Sequence, residues 1–353
     1  MASCKGLLAR PVGAVRGHRL GAIALALTVA ITGGLYAAGT RQDANTITLY
    51  SGRGESLVAP LIEEFQRETG ITVAVRYGGT AELAVLLQEE GARSPADLFW
   101  AQDAGALGAV ANGGLLRGLP DDVFAGVPTI YRGGRGLWIA TSGRARVLAY
   151  SPTAVTNDGF PTSVFDLTDP QYRGRVGWAP TNGSFQSFIT AMRVEHGDDS
   201  TQRWVEAMIA NDVQSYRSNT AIVEAIAAGE VAFGITNNYY LLRFQASDPD
   251  FPVAQRFFAP GDTGNLVNVA GVGVIAGSAN TENAERFVRF LLDRSAQQYF
   301  TSEVYEYPIT DAVAQNPRLE SFARLLEVSP QIELDRLEDL EGTLALLRRA
   351  GAL

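Results

Sequence analysis

Apolar and polar positions alternate at Ile47-Thr48-Leu49-Tyr50, the pattern of a β-strand, and Ser51-Gly52-Arg53-Gly54 supplies the turn after it. Apolar residues then recur at Leu57, Leu61, Ile62 and Phe65, the spacing of a helix, which Gly70 stops. Ile71–Val75 predicts a second strand, Thr80–Glu90 a helix ending at Gly91, and Ala96–Trp100 a third strand. Strands that alternate with helices predict a parallel sheet with crossover helices. Ligands of such sheets sit beyond the carboxyl ends of the strands. The turns Ser51–Gly54 and Ala101–Asp103 occupy those ends.

Further along, Arg144–Tyr150 reads as a strand that leaves this unit, and a second α/β unit starts at Arg175-Val176-Gly177-Trp178. One helix opens at Thr181–Ser184 and ends near His196-Gly197, and another runs from Thr220 to Ala228. The strand Val231–Thr236 leads into Asn237-Asn238-Tyr239-Tyr240, and Val267–Ile275 is an apolar strand able to cross back. Ala284–Phe300 predicts one amphipathic helix presenting Phe287, Phe290, Leu291 and Tyr299. The expected architecture is α/β, with two lobes joined by extended crossings. Residues 40–145 with 277–353 form the first lobe and 146–276 the second, with a ligand cleft between them.

The first 39 residues read differently. Lys5, Arg10, Arg16 and Arg19 precede the apolar run Leu20–Ile31, and small residues follow, so the segment is a secretory signal peptide or a membrane anchor. Ala37 and Gly39 suit a cut before Thr40. The leader takes four positive charges and no acid out of 29 Lys plus Arg and 38 Asp plus Glu, so the expected mature chain carries 25 − 38 = −13. An acidic body without a basic stripe argues against nucleic acid, and a leader places it outside the cytoplasm.

Composition matters most for what it removes. The single Cys (Cys4), the single Lys (Lys5) and one of two His (His18) all lie in the leader, which leaves His196 alone in the body. No disulfide framework, Cys-ligated zinc, Walker A loop, pyridoxal Schiff base or H-E-x-x-H helix can be built. A metal here must be held almost entirely by oxygen. No G-x-S-x-G elbow accompanies His196, so enzyme readings are weak. His196 itself suits a helix C-terminus, and Gly271-x-Gly273 suits close strand packing.

Two segments could carry chemistry. Thr181-Asn182-Gly183-Ser184 opens a helix, where free N–H groups and the dipole favour an anion, although ordinary N-capping by Asn or Ser uses the same residues. Tyr239-Tyr240 follows a strand end. Strand neighbours point to opposite faces, so a shared ligand needs a bend at Asn237-Asn238. Phenolates are hard donors suited to a trivalent cation, and only a strongly charged metal would deprotonate two of them at neutral pH. On spacing alone, two aromatics packing at a strand end is the favoured reading, since aromatics are common strand residues.

The chain resembles the ferric-ion-binding proteins of bacterial iron ABC transporters, which have the two-lobe periplasmic-binding-protein type II fold. The resemblance runs from Thr46 to Thr310. It is carried by Ile47–Gly52, Ser94–Phe99, Arg144–Tyr150, Trp178–Phe185, Asn219-Thr220-Ala221, Asn237–Tyr240 and Glu306-Tyr307-Pro308. It implies that Tyr239 and Tyr240 are the main Fe(III) ligands. It also implies that Asn182, Gly183, Ser184, Asn219 and Asn237 bind a synergistic anion, carbonate or phosphate.

Some members place a His where this chain has Gly54 and a Glu where it has Gln102, and a further Tyr near Asn182 is absent. Arg53 and Gln102 occupy those loops, and Arg53 can pair bidentately with an anion. The expectation is therefore two tyrosinates, one or more anions and water, in a monomeric extracytoplasmic protein that docks on an ABC permease. The alternative is the same fold binding an oxyanion or phosphonate without iron.

Overall fold

The computed structural model describes residues 45–353 apart from 129, 130, 134, 157, 158 and 311. The leader lies outside the described residues. Among those described, no helix is long and apolar enough to cross a membrane.

The alternating pattern of the first part becomes β1 (Thr46–Ser51), α1 (Glu55–Thr69), β2 (Thr72–Tyr77), α2 (Thr80–Glu90), β3 (Leu98–Ala101) and α3 (Ala104–Asn112). Helix α1 turns its apolar stripe, Leu57, Val58, Leu61, Ile62 and Phe65, into the core. It ends at Gly70, whose φ of 70° only glycine adopts without strain and whose N–H closes on Gln66 O. Both β2 and β3 pair parallel with β1, so their carboxyl ends and the turns after them emerge on one side.

The long strand β4 (Ile139–Tyr150) organises the rest. The later elements are β5 (Val176–Trp178), α4 (Gly183–His196), α5 (Asp198–Ala210), β6 (Gln214–Ser215), α6 (Asn219–Ala227), β7 (Phe233–Asn237), α7 (Asn238–Ser247), β8 (Ala254–Arg256) and β9 (Val267–Val274). The strand order is β2-β1-β3-β9-β4-β7-β5-β6, with β8 also on β4. Residues Ile139–Ala145 of β4 pair antiparallel with β9, which itself pairs with β3; residues Arg146–Tyr150 pair with β7. One strand thus passes from the first α/β unit into the second, with β9 beside it as the return crossing. Gly271 and Gly273 lie in that crossing, where an added Cβ would come within 2.8 Å of Ile139 O and of Leu116 respectively.

Past β9 come α8 (Thr281–Leu292), α9 (Arg294–Tyr299), α10 (Phe322–Val328) and α11 (Leu340–Arg349). The single helix expected over Ala284–Phe300 is two. Asp293 leaves the helical conformation, and its carboxylate caps the second helix by accepting from Ala296 N. Two large cores result. One gathers Leu49, Phe65, Phe99, Trp100 and Phe287; the other gathers Trp178, Phe185, Phe188, Met192 and Trp204. Leu346 and Leu347 of α11 join the second core, and α11 also touches α3, so the C-terminal helix spans both units. His196 ends α4, but its ring meets Thr263 Oγ1 at 2.9 Å and packs on Phe165, so it ties α4 to a neighbouring loop and caps nothing.

Candidate functional site

Tyr239 and Tyr240 sit where β7 becomes α7. Asn237 is the extended residue before the helix and Asn238 is its first residue, so the pair occupies a helical first turn. Successive residues on a helix are separated by about 100° and not 180°, which lets neighbouring side chains share a face. The two rings stack at 4.1 Å with 29° between planes, and both residues are buried. Gln102 Nε2 donates to both phenol oxygens at 3.4 Å, so the two oxygens converge on one amide group. Burial raises the Tyr239 pKa well above that of a free phenol. The Tyr240 oxygen adds to the rise, and Arg53 and Arg144 oppose it. Tyr239 is therefore a neutral phenol until something strongly positive replaces its proton.

The helix start lies beside them. Asn182 caps α4: its Oδ1 accepts from Ser184 N at 3.1 Å, Ser184 Oγ at 2.6 Å and Asn219 Nδ2 at 3.3 Å. Asn237 Nδ2 donates to Ser184 Oγ at 3.0 Å, and Asn182 Nδ2 to Gln102 Oε1 at 3.4 Å. The residues singled out in the sequence, Asn182, Ser184, Asn219, Asn237, Gln102, Tyr239 and Tyr240, are thus one hydrogen-bonded network. Capping and anion readings meet in it, since Asn182 caps the helix and faces Gln102 at once. Gly183 completes it by leaving space: a Cβ there would lie 2.7 Å from Asp103 Oδ2 and 3.0 Å from Thr80 Cβ, both from the opposite unit.

Arg53 departs from expectation. Its guanidinium is fully buried and already has a protein carboxylate: Nη2 donates to both oxygens of Glu306 at 2.9 Å. Nε and Nη1 have no partner among the described residues, so only part of the group remains for an anion. Ser142 Oγ also donates to Glu306.

Glu306, Arg144, Arg146 and Asp103 join the site without an expected role from the sequence. Arg146 donates to Ser184 O at 3.0 Å and Ile235 O at 3.2 Å, and burial brings its pKa down to about 9. Arg144 is buried, and its Nε, Nη1 and Nη2 have no partner among the described residues. Asp103 is buried with Oδ2 unpartnered, and burial raises its pKa. The available signal was the spacing Arg144-x-Arg146. Two charges at strand period in an otherwise apolar run cannot be core, so they must face a polar site.

A cavity of about 970 Å³ opens over the network. Arg53, Gln102, Asn182, Gly183 and Tyr240 line it, together with Leu344 and Arg348 of α11. Arg76, Arg217 and Arg243 line it as well, against Glu82 and Glu89, so the lining is net positive and suits an anion-bearing cargo. Among the described residues no three His, Cys, Asp or Glu side chains converge on a metal position, so the phenols are the donors that the cleft offers.

The family model described as bacterial extracellular solute-binding protein matches residues 93–329. The chain is 30% identical over 338 residues to the Fe(3+)-binding periplasmic protein of Serratia marcescens, covering 95% of this chain and 98% of that one. It is similar to the crystal structure of iron-bound HitA from Pseudomonas aeruginosa, at 33% identity and TM-score 0.82 over 87% of this chain and 99% of that one. A Trichodesmium structure described as IdiA (FutA) in complex with iron and citrate ligands matches at 27% identity and TM-score 0.69, over 87% of this chain and 100% of that one. The α/β fold expected from the sequence, the type II periplasmic-binding-protein arrangement, is the fold that these structures share with the chain.

Proposed function

The chain belongs to the bacterial extracellular solute-binding protein family, and from that premise we propose that it captures ferric iron with a small anion and hands it to an ABC permease. It works outside the cytoplasm as a monomer, as a carrier and not a catalyst. The observation that carries this reading is the convergence of two buried phenol oxygens on Gln102, beside the capped start of α4.

The chemistry follows from the donors. Fe(III) is hard and triply charged, so it displaces phenol protons and binds two phenolates that zinc or copper would leave protonated. Gly54 offers no side chain and Gln102 no charge, so the remaining ligands come from the anion and water. The anion lies at the positive end of the α4 dipole with Asn182, Ser184, Asn219 and Asn237 around it. Carbonate and phosphate fit this description. The citrate found with iron in the Trichodesmium structure adds a polycarboxylate to the class. Closure proceeds by a hinge in β4 and β9, between residues 40–145 with 277–353 and residues 146–276, with α11 lying across both.

The test is metal analysis of protein purified from its native host, followed by titration of the stripped protein with a ferric salt. Stoichiometric iron whose binding requires an added anion is the expected result. Anion binding that ignores iron would leave the second reading, an oxyanion carrier, which the arginine-lined entrance favours.

A further inference from the structure

We propose that Arg144 makes this site select a doubly charged anion over a singly charged one, a reading that rests on the iron-carrier function above.

After the register shift between Ala140 and Ser142, the residues Ser142, Arg144 and Arg146 of β4 lie on one face. Their cross-strand partners share that face: Asn268 stands opposite Arg144 and Asn237 opposite Arg146. Every neighbour on the face leads to the cleft. Ser142 donates to Glu306, which holds Arg53. Arg146 donates to Ser184 O at the start of α4, and Asn237 to Ser184 Oγ. Asn268 donates to Ser187 Oγ, which donates to Asp103. Arg144 is therefore bracketed by the Arg53–Glu306 pair on one side and the anion-binding helix start on the other.

Its own guanidinium is buried with all three nitrogens lacking a partner among the described residues. A permanently charged group so placed is costly unless a negative charge joins it. Glu306 and Asp103 attract it through space, but neither is hydrogen-bonded to it. Glu306 is taken by Arg53 and Ser142. Asp103 uses Oδ1 for Ala106 N and Ser187 Oγ, and burial favours its neutral form.

Charge arithmetic then sets the anion. Fe(III) with two phenolates leaves one positive charge, Arg144 and Arg146, the latter bonded only to backbone carbonyls, add one each, and Arg53 with Glu306 adds none. A dianion offsets more of this buried charge than a monoanion does, in a site where charge is expensive.

The experiment compares oxalate, a dianion, with formate, a monoanion, as the anion supporting the tyrosinate–iron charge-transfer band in wild type, Arg144→Gln and Arg144→Lys. Wild type and Arg144→Lys should prefer oxalate by similar ratios, and Arg144→Gln should lower that ratio at least about tenfold. A band that forms in Arg144→Gln with the wild-type ratio overturns the inference while sparing the iron reading. No band in wild type with either anion overturns the iron reading instead. The iron-free Arg144→Gln protein should melt at or above the wild-type temperature, because it loses a buried charge that nothing pairs. A clearly lower melting temperature would assign Arg144 a structural role and overturn the selection claim.

Discussion

Arg53 Nη2 donates to both carboxylate oxygens of Glu306 at 2.9 Å, across 253 positions of sequence, with both side chains fully buried. The pair ties the loop after β1 to the segment after α9, beneath the tyrosines. Removing one partner strands the other as a buried charge. Glu306→Gln should therefore cost about 3–5 kcal/mol in denaturant unfolding of the iron-free protein. The double variant Arg53→Met with Glu306→Gln should recover much of that loss, since two neutral side chains leave no charge buried.

Gly183 is where the two units touch. A Cβ at this position meets Asp103 Oδ2 at 2.7 Å and Thr80 Cβ at 3.0 Å, so Gly183→Ala forces the contact apart. The expected penalty of about 1–3 kcal/mol falls on the closed form. Iron affinity, measured by competition with a chelator, should drop roughly ten- to hundredfold. Unchanged affinity would mean that closure does not use this contact.

Iron capture should strengthen with pH. Tyr239 is held protonated by burial and by its neighbour Tyr240, so metal binding must release its proton. Each proton released gives about a tenfold gain in apparent affinity per pH unit below the phenol pKa. Affinities measured at several pH values, with hydrolysis of free iron controlled by a chelator, should rise on this slope. A flat profile would remove proton displacement from the account.

Much of the site was legible because it is local. Asn237–Tyr240 and Thr181–Ser184 are short runs that the family resemblance marks as a candidate site, although their residue types alone fit aromatic packing and N-capping, and the helix Thr80–Glu90 with its stop at Gly91 was readable from periodicity alone. The stacking of the tyrosines depended on α7 starting at Asn238, one residue before the pair, which strand alternation would not give. Glu306 was not legible, because its pairing with Arg53 joins segments far apart in sequence, whereas Arg144 was signalled only by its strand-period spacing to Arg146. The break at Asp293 was hidden in an apolar stripe that is helical on both sides, where the extended backbone of Asp293 and its capping bond to Ala296 N distinguish two helices from one.

The C-terminal helix supplies a further prediction. Asp339 caps α11 by accepting from Gly342 N at 2.9 Å and pairs with Arg193 at 2.8 Å. Asp339→Ala should cost about 0.5–2 kcal/mol, the usual loss for a cap, and should loosen a helix that spans both cores. Partial burial pushes the Asp339 pKa up, but Gly342 N–H and Arg193 outweigh it, so the pKa lies below that of a free carboxylate. Its contribution is complete above pH about 4 and fades as pH falls through the lower folded-state value. The stability gap between wild type and Asp339→Ala should thus close in acid and persist at neutral pH.

The central claim is that Tyr239 and Tyr240 hold ferric iron together. It is tested most directly by adding ferric iron and bicarbonate to stripped wild type, Tyr239→Phe, Tyr240→Phe and the double variant, and recording the visible spectrum of each. The account predicts a tyrosinate–iron charge-transfer band in wild type, a weaker one in each single variant, and none in the double variant. A band of wild-type strength in the double variant, or no band in wild type, would contradict it.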